Sequence, residues 1–362
     1  MNEKTTALDG RIRGPLKGRG THLKTPVRYH ELEVEQVDDG WDIPENPDRP
    51  VTRLLLDSSR TVIARNQSPD VPFNQSINPY RGCEHGCIYC YARPTHAWLD
   101  LSPGLDFETK ILHKPDAAQI LRGELSKPGY QCDTIGIGTN TDAWQPVERK
   151  LGLTREILKV RSEFNHPVRI VTKSSGVLRD LDILESMARR NLVVVNVSVT
   201  TMDPVLNRTM EPRAASPAQR LKTIRVLADH GIPAGASVAP IVPVLNDHEL
   251  EHILEVTREA GARFANYIFI RLPLEVSPLF RQWLDDHYPL KAEHIMNRIQ
   301  DSRGGKDYKS GFGQRMRGQG LFARLIAERF QKKYRELGFE PDIDLSHDLF
   351  RNPDQPEQLG LF

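Results

Sequence analysis

Three of the four cysteines in this 362-residue chain fall within the eight residues from Cys83 to Cys90. Cys83, Cys87 and Cys90 stand as Cys-x-x-x-Cys-x-x-Cys inside RGCEHGCIYCYARPTH, and Cys132 lies far off. Three chemistries can be read from such a set. Structural zinc asks for four protein ligands, commonly from paired Cys-x-x-Cys knuckles. No second knuckle exists here, so His85 or Cys132 would have to supply the fourth. A thiol–disulfide redox pair would use Cys87 and Cys90 and leave Cys83 unexplained. A [4Fe–4S] cube held at three corners accounts for the count directly and keeps its fourth iron free for a non-protein ligand. Gly82 and Gly86 give the loop backbone freedom to wrap. Ligand number separates the two outcomes: a closed site braces a binding module, and an open one does chemistry.

A loop of this kind needs a scaffold to present it. From about residue 74, short β-branched apolar runs alternate with helical stretches. TIGIGT (134–139), VRIVTK (168–173), LVVVNVSVT (192–200), AGASVAPIV (234–242) and YIFIRLP (267–273) read as buried parallel strands, with NQSINPYRG (74–82) as the first. Helices are expected over Thr154–Phe164, Val177–Arg190, Pro217–His230 and Asp247–Ala260, with Gly231 as a stop. Repeats of about 30 residues imply βαβ units and a parallel sheet. About six of them predict an α/β fold, a partial (β/α)6 barrel with N- and C-terminal extensions. Barrel chemistry sits at the C-terminal ends of the strands, so the cysteine loop falls at the catalytic mouth. Cys132, ahead of the second strand, falls at the opposite end, where a buried free thiol is expected.

These residues resemble the radical S-adenosylmethionine (SAM) superfamily: Cys-x-x-x-Cys-x-aromatic-Cys after a first strand, followed by repeated βα units. Within it, INPYRGCEHGCIYCYAR is similar to the spore photoproduct lyase-like group, related by label to DNA repair photolyases. The resemblance spans roughly residues 74–290. It implies that Cys83, Cys87 and Cys90 hold a [4Fe–4S] cluster whose open iron takes SAM. Reduction of SAM then yields methionine and a 5′-deoxyadenosyl radical that abstracts hydrogen from a substrate. It further implies Tyr89 at the adenine, Thr139, Asn140, Thr141 and Asp142 near the methionine amine, Lys173 at the carboxylate, and Ser198 and Thr200 at the ribose. An electron donor such as flavodoxin or ferredoxin is implied as partner. The resemblance has a gap. The spore lyase returns a hydrogen atom from a cysteine just after its second strand, where this chain has Thr139, Asn140 and Thr141.

The remainder divides into an N-terminal extension (1–73), the core (74–290) and a C-terminal extension (291–362). The first begins basic (Arg11, Arg13, Lys17, Arg19, Lys24, Arg28), turns acidic in HELEVEQVDDGWD, and reads as a partly flexible arm. The last opens with a Gly/Arg/Lys loop and continues as an amphipathic helix with Leu321, Leu325, Ile326, Phe330 and Tyr334 on its buried side. The Arg11–Arg28 and Arg303–Arg317 tracts could hold a polyanion, which keeps a nucleic-acid partner open. Near-zero net charge (+1) and the lack of an aromatic stacking motif weigh against it. Glu211 and Arg213 read as an ion pair or a substrate contact, and Trp144 as a stacking platform or core residue. No apolar run of about 18 residues is present, so no membrane span is expected. With no secretory signal and few cysteines, the expected compartment is the cytoplasm. The alternative to an enzyme is a non-catalytic iron–sulfur or zinc-braced nucleic-acid-binding protein.

Overall fold

The computed structural model describes residues 16–29 and 50–354. Its strands are β1 (Arg53–Leu56), β2 (Ile63–Arg65), β3 (Gln75–Ile77), β4 (Tyr80–Arg81), β5 (Lys110–His113), β6 (Ile135–Ile137), β7 (Val168–Thr172), β8 (Val193–Ser198), β9 (Ala234–Ile241) and β10 (Phe264–Phe269). A seven-stranded sheet runs β10-β9-β8-β7-β6-β3-β2. β3 and β6 to β10 pair in parallel, and β2 joins antiparallel at the edge. The six parallel strands are those the sequence predicts, and the fold is the α/β partial barrel. The first predicted strand divides in two, because β4 leaves the barrel for a separate small sheet, β1-β5-β4. Among the described residues no helix is long and apolar enough to cross a membrane.

The helices are α1 (Asp106–Thr109), α2 (Ala117–Leu125), α3 (Glu148–Leu151), α4 (Leu153–Glu163), α5 (Leu181–Ala188), α6 (Pro204–Met210), α7 (Pro217–Asp229), α8 (Leu250–Glu259), α9 (Val276–His287), α10 (Ala292–Asp301) and α11 (Gly320–Glu336). The start of α7 is fixed by Ser216, whose side chain accepts from the Gln219 N–H, and by Pro217 in the first turn. Gly231 follows at φ +68°, the left-handed conformation that ends a helix.

Strand alternation sorts the two faces of the sheet. Val193, Val195 and Val197 join Ile135, Ile137, Val168 and Ile170 in one core with Leu121, Ile157, Leu184, Ile224 and Ile253 of the helices. The alternate positions are smaller or polar: Gly136 on β6, Asn196 and Ser198 on β8, Gly235 and Ser237 on β9, and Asn266 on β10. Ser198, Ser237 and Asn266 stand in register across three strands, with the Ser237 hydroxyl 2.6 Å from Asn266 Oδ1. The helix-facing surface is therefore a dry core, and the other surface is a concavity that is polar toward the strand C-termini and apolar toward the N-termini, where Val194 and Phe264 lie.

Both extensions differ from expectation. Residues 16–29, read as part of a flexible arm, pack on the cysteine loop. The Gly20 N–H donates to Glu108 Oε2 at 3.0 Å, and Arg19 donates to the Glu108 carbonyl at 2.8 Å. A Cβ at Gly20 would lie 1.8 Å from the Gly86 carbonyl oxygen, so only glycine allows this approach. Arg28 pairs with Glu275. Arg11, Arg13 and the acidic stretch lie outside the described residues. In the second tract, Arg303 is buried and donates to the Ile270 carbonyl at 2.6 Å, and Arg315 pairs with Asp70. Both are spent internally.

Helix α11 is rotated from the expected face. Ala323, Ile326 and Phe330 are buried, with Phe330 4.9 Å from the Tyr267 ring, whereas Leu321 is 65% and Leu325 46% exposed. At 3.6 residues per turn, positions 323, 326 and 330 share one face that excludes 321 and 325. The chain then returns beneath the strand N-termini. Leu345 packs on Val194 and Phe264, and Arg169 donates to Asp342 at 2.7 Å. Phe330→Ala is expected to cost about 3–5 kcal/mol and Leu321→Ala less than about 0.5 kcal/mol, read as shifts in urea unfolding midpoints; similar losses from both would refute this helix rotation.

Candidate active site

β4 runs directly into the cysteine loop, whose shape is fixed by protein contacts. Arg93 is the main clamp: its Nε donates to the Cys87 carbonyl (2.9 Å), Nη1 to the Gly104 carbonyl (2.9 Å) and Nη2 to Glu108 Oε1 (2.5 Å). Neither Arg93 nor Glu108 has exposed surface, so each charge is neutralised by the other. The Cys83 N–H donates to the Phe107 carbonyl at 2.9 Å, and the Glu84 N–H to Gln145 Oε1 at 2.8 Å. Gly82 and Gly86 turn at φ +82° and +68°. A Cβ on Gly82 would come 2.8 Å from the Phe107 carbonyl oxygen, and one on Gly86 2.7 Å from Glu108 Oε2.

All three cysteines are free, with Cys83 and Cys87 buried and Cys90 partly so. Burial pushes the Cys87 thiol up to about 12, with Glu211 adding to the rise and Lys173 opposing it. Burial and then Asp142 raise Cys83 further, and burial raises Cys90 as well. Three thiolates in this setting require positive charge close by, which a metal-containing core supplies. Among the described residues, no three His, Cys, Asp or Glu side chains are grouped so as to hold one metal ion. Three thiols on one preformed loop fit an iron–sulfur core held at three corners.

The strand-end residues expected around SAM gather at the C-terminal edge of the parallel strands, but several are already engaged. Thr139 and Asn140 meet Asn78: the Asn78 amide donates to Thr139 Oγ1 (3.4 Å), and the Asn140 N–H donates to Asn78 Oδ1 (3.0 Å). Thr141 is buried and donates to the Tyr80 carbonyl at 3.2 Å. Asp142 accepts from the N–H groups of Trp144 (2.9 Å) and Lys173 (2.7 Å) and from Thr172 Oγ1 (2.9 Å), with His85 Nδ1 at 3.5 Å. Its carboxylate is a splint between β6, β7 and the cysteine loop. Lys173 is different. Its ammonium lies 5.8 Å from the Tyr89 ring centroid and has no carboxylate partner among the described residues. Ser198 is buried at the end of β8, its carbonyl accepting from Arg220 at 3.0 Å.

Sequence reasoning missed the hub beside these residues. Glu211, 1% exposed, accepts from the Tyr89 hydroxyl, from Asn207 Nδ2 (3.0 Å) and from Arg220. Thr200 Oγ1 lies 2.7 Å from Glu211 Oε1 and 2.9 Å from the Ala239 carbonyl, two acceptors for one hydroxyl proton. The expected Glu211–Arg213 pair is replaced: Arg213 reaches Glu84 at 3.2 Å, and Arg220 takes Glu211. Trp144 is a core residue, 3% exposed, donating to Asp180 at 2.8 Å. His85 is buried within the loop. Cys132 is half-buried just before β6, and burial pushes its thiol up to about 11. No spacing rule links Glu211 to Arg220, since a loop separates them.

Burial alone would raise the Glu211 carboxyl, but Arg220, Lys173 and the Thr200 and Tyr89 hydroxyls hold it below its ordinary value. A depressed folded-state pKa stabilises the fold above the unfolded value, about 4.3 for Glu, and that stability is lost as pH falls through the folded value. Glu211→Gln is expected to remove part of the acid-induced loss of stability, measured as unfolding midpoint against pH. Arg220→Ala, which strands a buried carboxylate, is expected to cost about 3–5 kcal/mol at neutral pH. A flat response to both would remove the hub from this account.

Residues 77–257 match the Radical SAM superfamily. An uncharacterised protein of Mycobacterium tuberculosis is 35% identical over 231 residues, covering 62% of this chain and 68% of that one. Another, from Methanocaldococcus jannaschii, is 30% identical over 223 residues, covering 61% and 79%. Among solved structures, spore photoproduct lyase complexed with dinucleoside spore photoproduct shares the fold at TM-score 0.58 and 17% identity, over 80% of both chains. A mutant of that enzyme with bound AdoMet and the same dinucleoside matches at TM-score 0.57 and 16% identity, again over 80% of both. A cysteine loop at the strand C-termini and a matched span of half the chain lead to one assignment: the protein belongs to the radical SAM superfamily of enzymes.

Proposed function

We propose that Cys83, Cys87 and Cys90 hold a [4Fe–4S] cluster and that SAM binds against it within the polar concavity. When bound, the pair would supply reductive cleavage of SAM and a 5′-deoxyadenosyl radical for hydrogen abstraction. The observation that carries this reading is the pairing of three thiols on a preformed loop, two buried and one partly so, with a Lys173 at the same strand edge that has no carboxylate partner among the described residues. Lys173 takes the SAM carboxylate, since an ammonium at the end of a buried strand gains from an anionic partner. Tyr89, held through its hydroxyl by Glu211, keeps its ring positioned for the adenine. Ser198 serves the ribose, with Thr200 held by the hub beside it. Thr139, Asn140 and Thr141 form the wall near the methionine amine, and Asp142 acts there by fixing the β6 and β7 ends.

In this proposal the substrate is not the dinucleoside spore photoproduct carried by the solved lyase. Thr139–Thr141 follow β6 with no thiol, and Cys132 precedes the strand, at its other end. A nucleic-acid partner is not part of the reading either, because Arg19, Arg28, Arg303 and Arg315 are spent on internal contacts. A one-electron donor of the flavodoxin or ferredoxin kind completes the cycle, in the cytoplasm.

The deciding experiment uses protein reconstituted and reduced without oxygen. A low-temperature EPR signal perturbed by SAM, with 5′-deoxyadenosine formed by wild type and not by Cys87→Ala, is the expected outcome; SAM-indifferent protein carrying zinc would overturn the proposal. Lys173→Met is expected to weaken SAM binding by about tenfold or more, the loss of a charge-assisted hydrogen bond of about 1.5–3 kcal/mol, with iron content unchanged. Equal SAM affinity in that variant would move the carboxylate contact elsewhere.

A further inference from the structure

A small polar pocket of about 110 Å³ lies on the flank of the cysteine loop. The loop after β6 contributes Trp144 and Pro146, helix α3 Arg149, the segment after β7 Ser174 and Ser175, and that after α6 Arg213, Ala214 and Ala215. His85 closes it from the cysteine loop. None of Tyr89, Lys173, Ser198 and Thr200 lines it, so it is distinct from the surface offered to SAM.

The lining has the composition of an anion site. Arg149 is exposed and has no carboxylate partner among the described residues. Arg213 brings a second guanidinium, with Glu84 at 3.2 Å on one side. Ser175 has no side-chain partner among the described residues, and Ser174 accepts from the Gly176 N–H at 3.0 Å, leaving its own proton to donate. His85 is 2% exposed; Nδ1 faces Asp142 at 3.5 Å, and Nε2 has no partner among the described residues. Two carboxylates adjoin the lining, Glu84 beside Arg213 and Asp142 beside His85; Thr52 donates to Glu84 Oε1 (2.7 Å) and β7 holds Asp142, while Glu84 Oε2 has no hydrogen-bond partner among the described residues and competes for Arg213. Forked guanidinium donors and hydroxyls suit a tetrahedral oxyanion. The volume equals roughly three or four waters at about 30 Å³ each, enough for one such group and too little for a nucleoside.

We propose that the pocket of His85, Arg149, Arg213, Ser174 and Ser175 binds a single phosphate group, either as free phosphate or as the head of a phosphomonoester. Because His85 lies between Cys83 and Cys87, the bound group braces the cysteine loop from its outer side. The Arg213 N–H donates to the His85 carbonyl at 3.2 Å, and the Ala215 N–H to the Lys173 carbonyl at 3.2 Å. The same short segment thus links the pocket to the loop and to the end of β7. The site is independent of the cluster assignment, since none of its donors is a cysteine.

The test is calorimetric titration of the full chain, without added metal, against inorganic phosphate and, in a second arm, against glycerol phosphate. Saturable one-to-one binding of at least one of them is expected. Arg149→Ala and Arg213→Ala should each weaken it tenfold or more, and Arg208→Ala, a surface control, should leave it unchanged. Preference for one arm names the source of the phosphate. Absence of saturable binding in both arms, or equal binding by all three variants, overturns the proposal. Iron content and the SAM-dependent EPR signal are separate readouts, so failure here leaves the cluster reading standing, and the reverse.

Discussion

A carboxylate removed from water must have its negative charge met by cations and donors, and this requirement organises the region around the cysteines. Glu211 meets it by drawing on Tyr89 of the cysteine loop, Thr200 beyond β8, Asn207 of α6 and Arg220 of α7. The cysteine loop, 122 residues away in sequence, is thereby tied to three groups that lie within 11 residues of Glu211. Glu108 does the same elsewhere on the loop through Arg93, whose remaining nitrogens hold loop carbonyls. Removing one member of either pair leaves a buried charge uncompensated. The loop geometry is therefore coupled to two buried ion pairs.

The same electrostatics divides the work among the residues at the strand ends. Asp142 and Thr200, attractive as cofactor contacts because they are polar and well placed, spend their hydrogen bonds on the protein. Lys173 faces the Tyr89 ring and has no carboxylate partner among the described residues. Its charge lowers the cost of negative sulfur at Cys87 and Cys90.

The sheet makes this arrangement possible by having two unlike faces. Large aliphatic residues on β6 to β9 pack beneath the helices and supply the stabilising core. The other face carries Ser198, Ser237 and Asn266, with Gly136 and Gly235 covered by the Phe73 and Phe264 rings. Gly235 is required there because a Cβ would lie 2.1 Å from the Phe264 ring.

The sequence by itself determined the local features. Cysteine spacing set the donor count, β-branched runs at regular intervals set six parallel strands, and Ser216, Pro217 and Gly231 set the ends of α7. These are legible because strand pattern, capping and ligand spacing depend on residues close together in the chain. Tertiary structure alone decided the rest. It chose Arg220 over the nearer Arg213 as partner of Glu211, turned Leu321 and Leu325 outward, folded residues 16–29 onto the cysteine loop, and buried Arg303. Each of those outcomes depends on which surfaces meet and which charges lose water, and both are properties of the assembled chain.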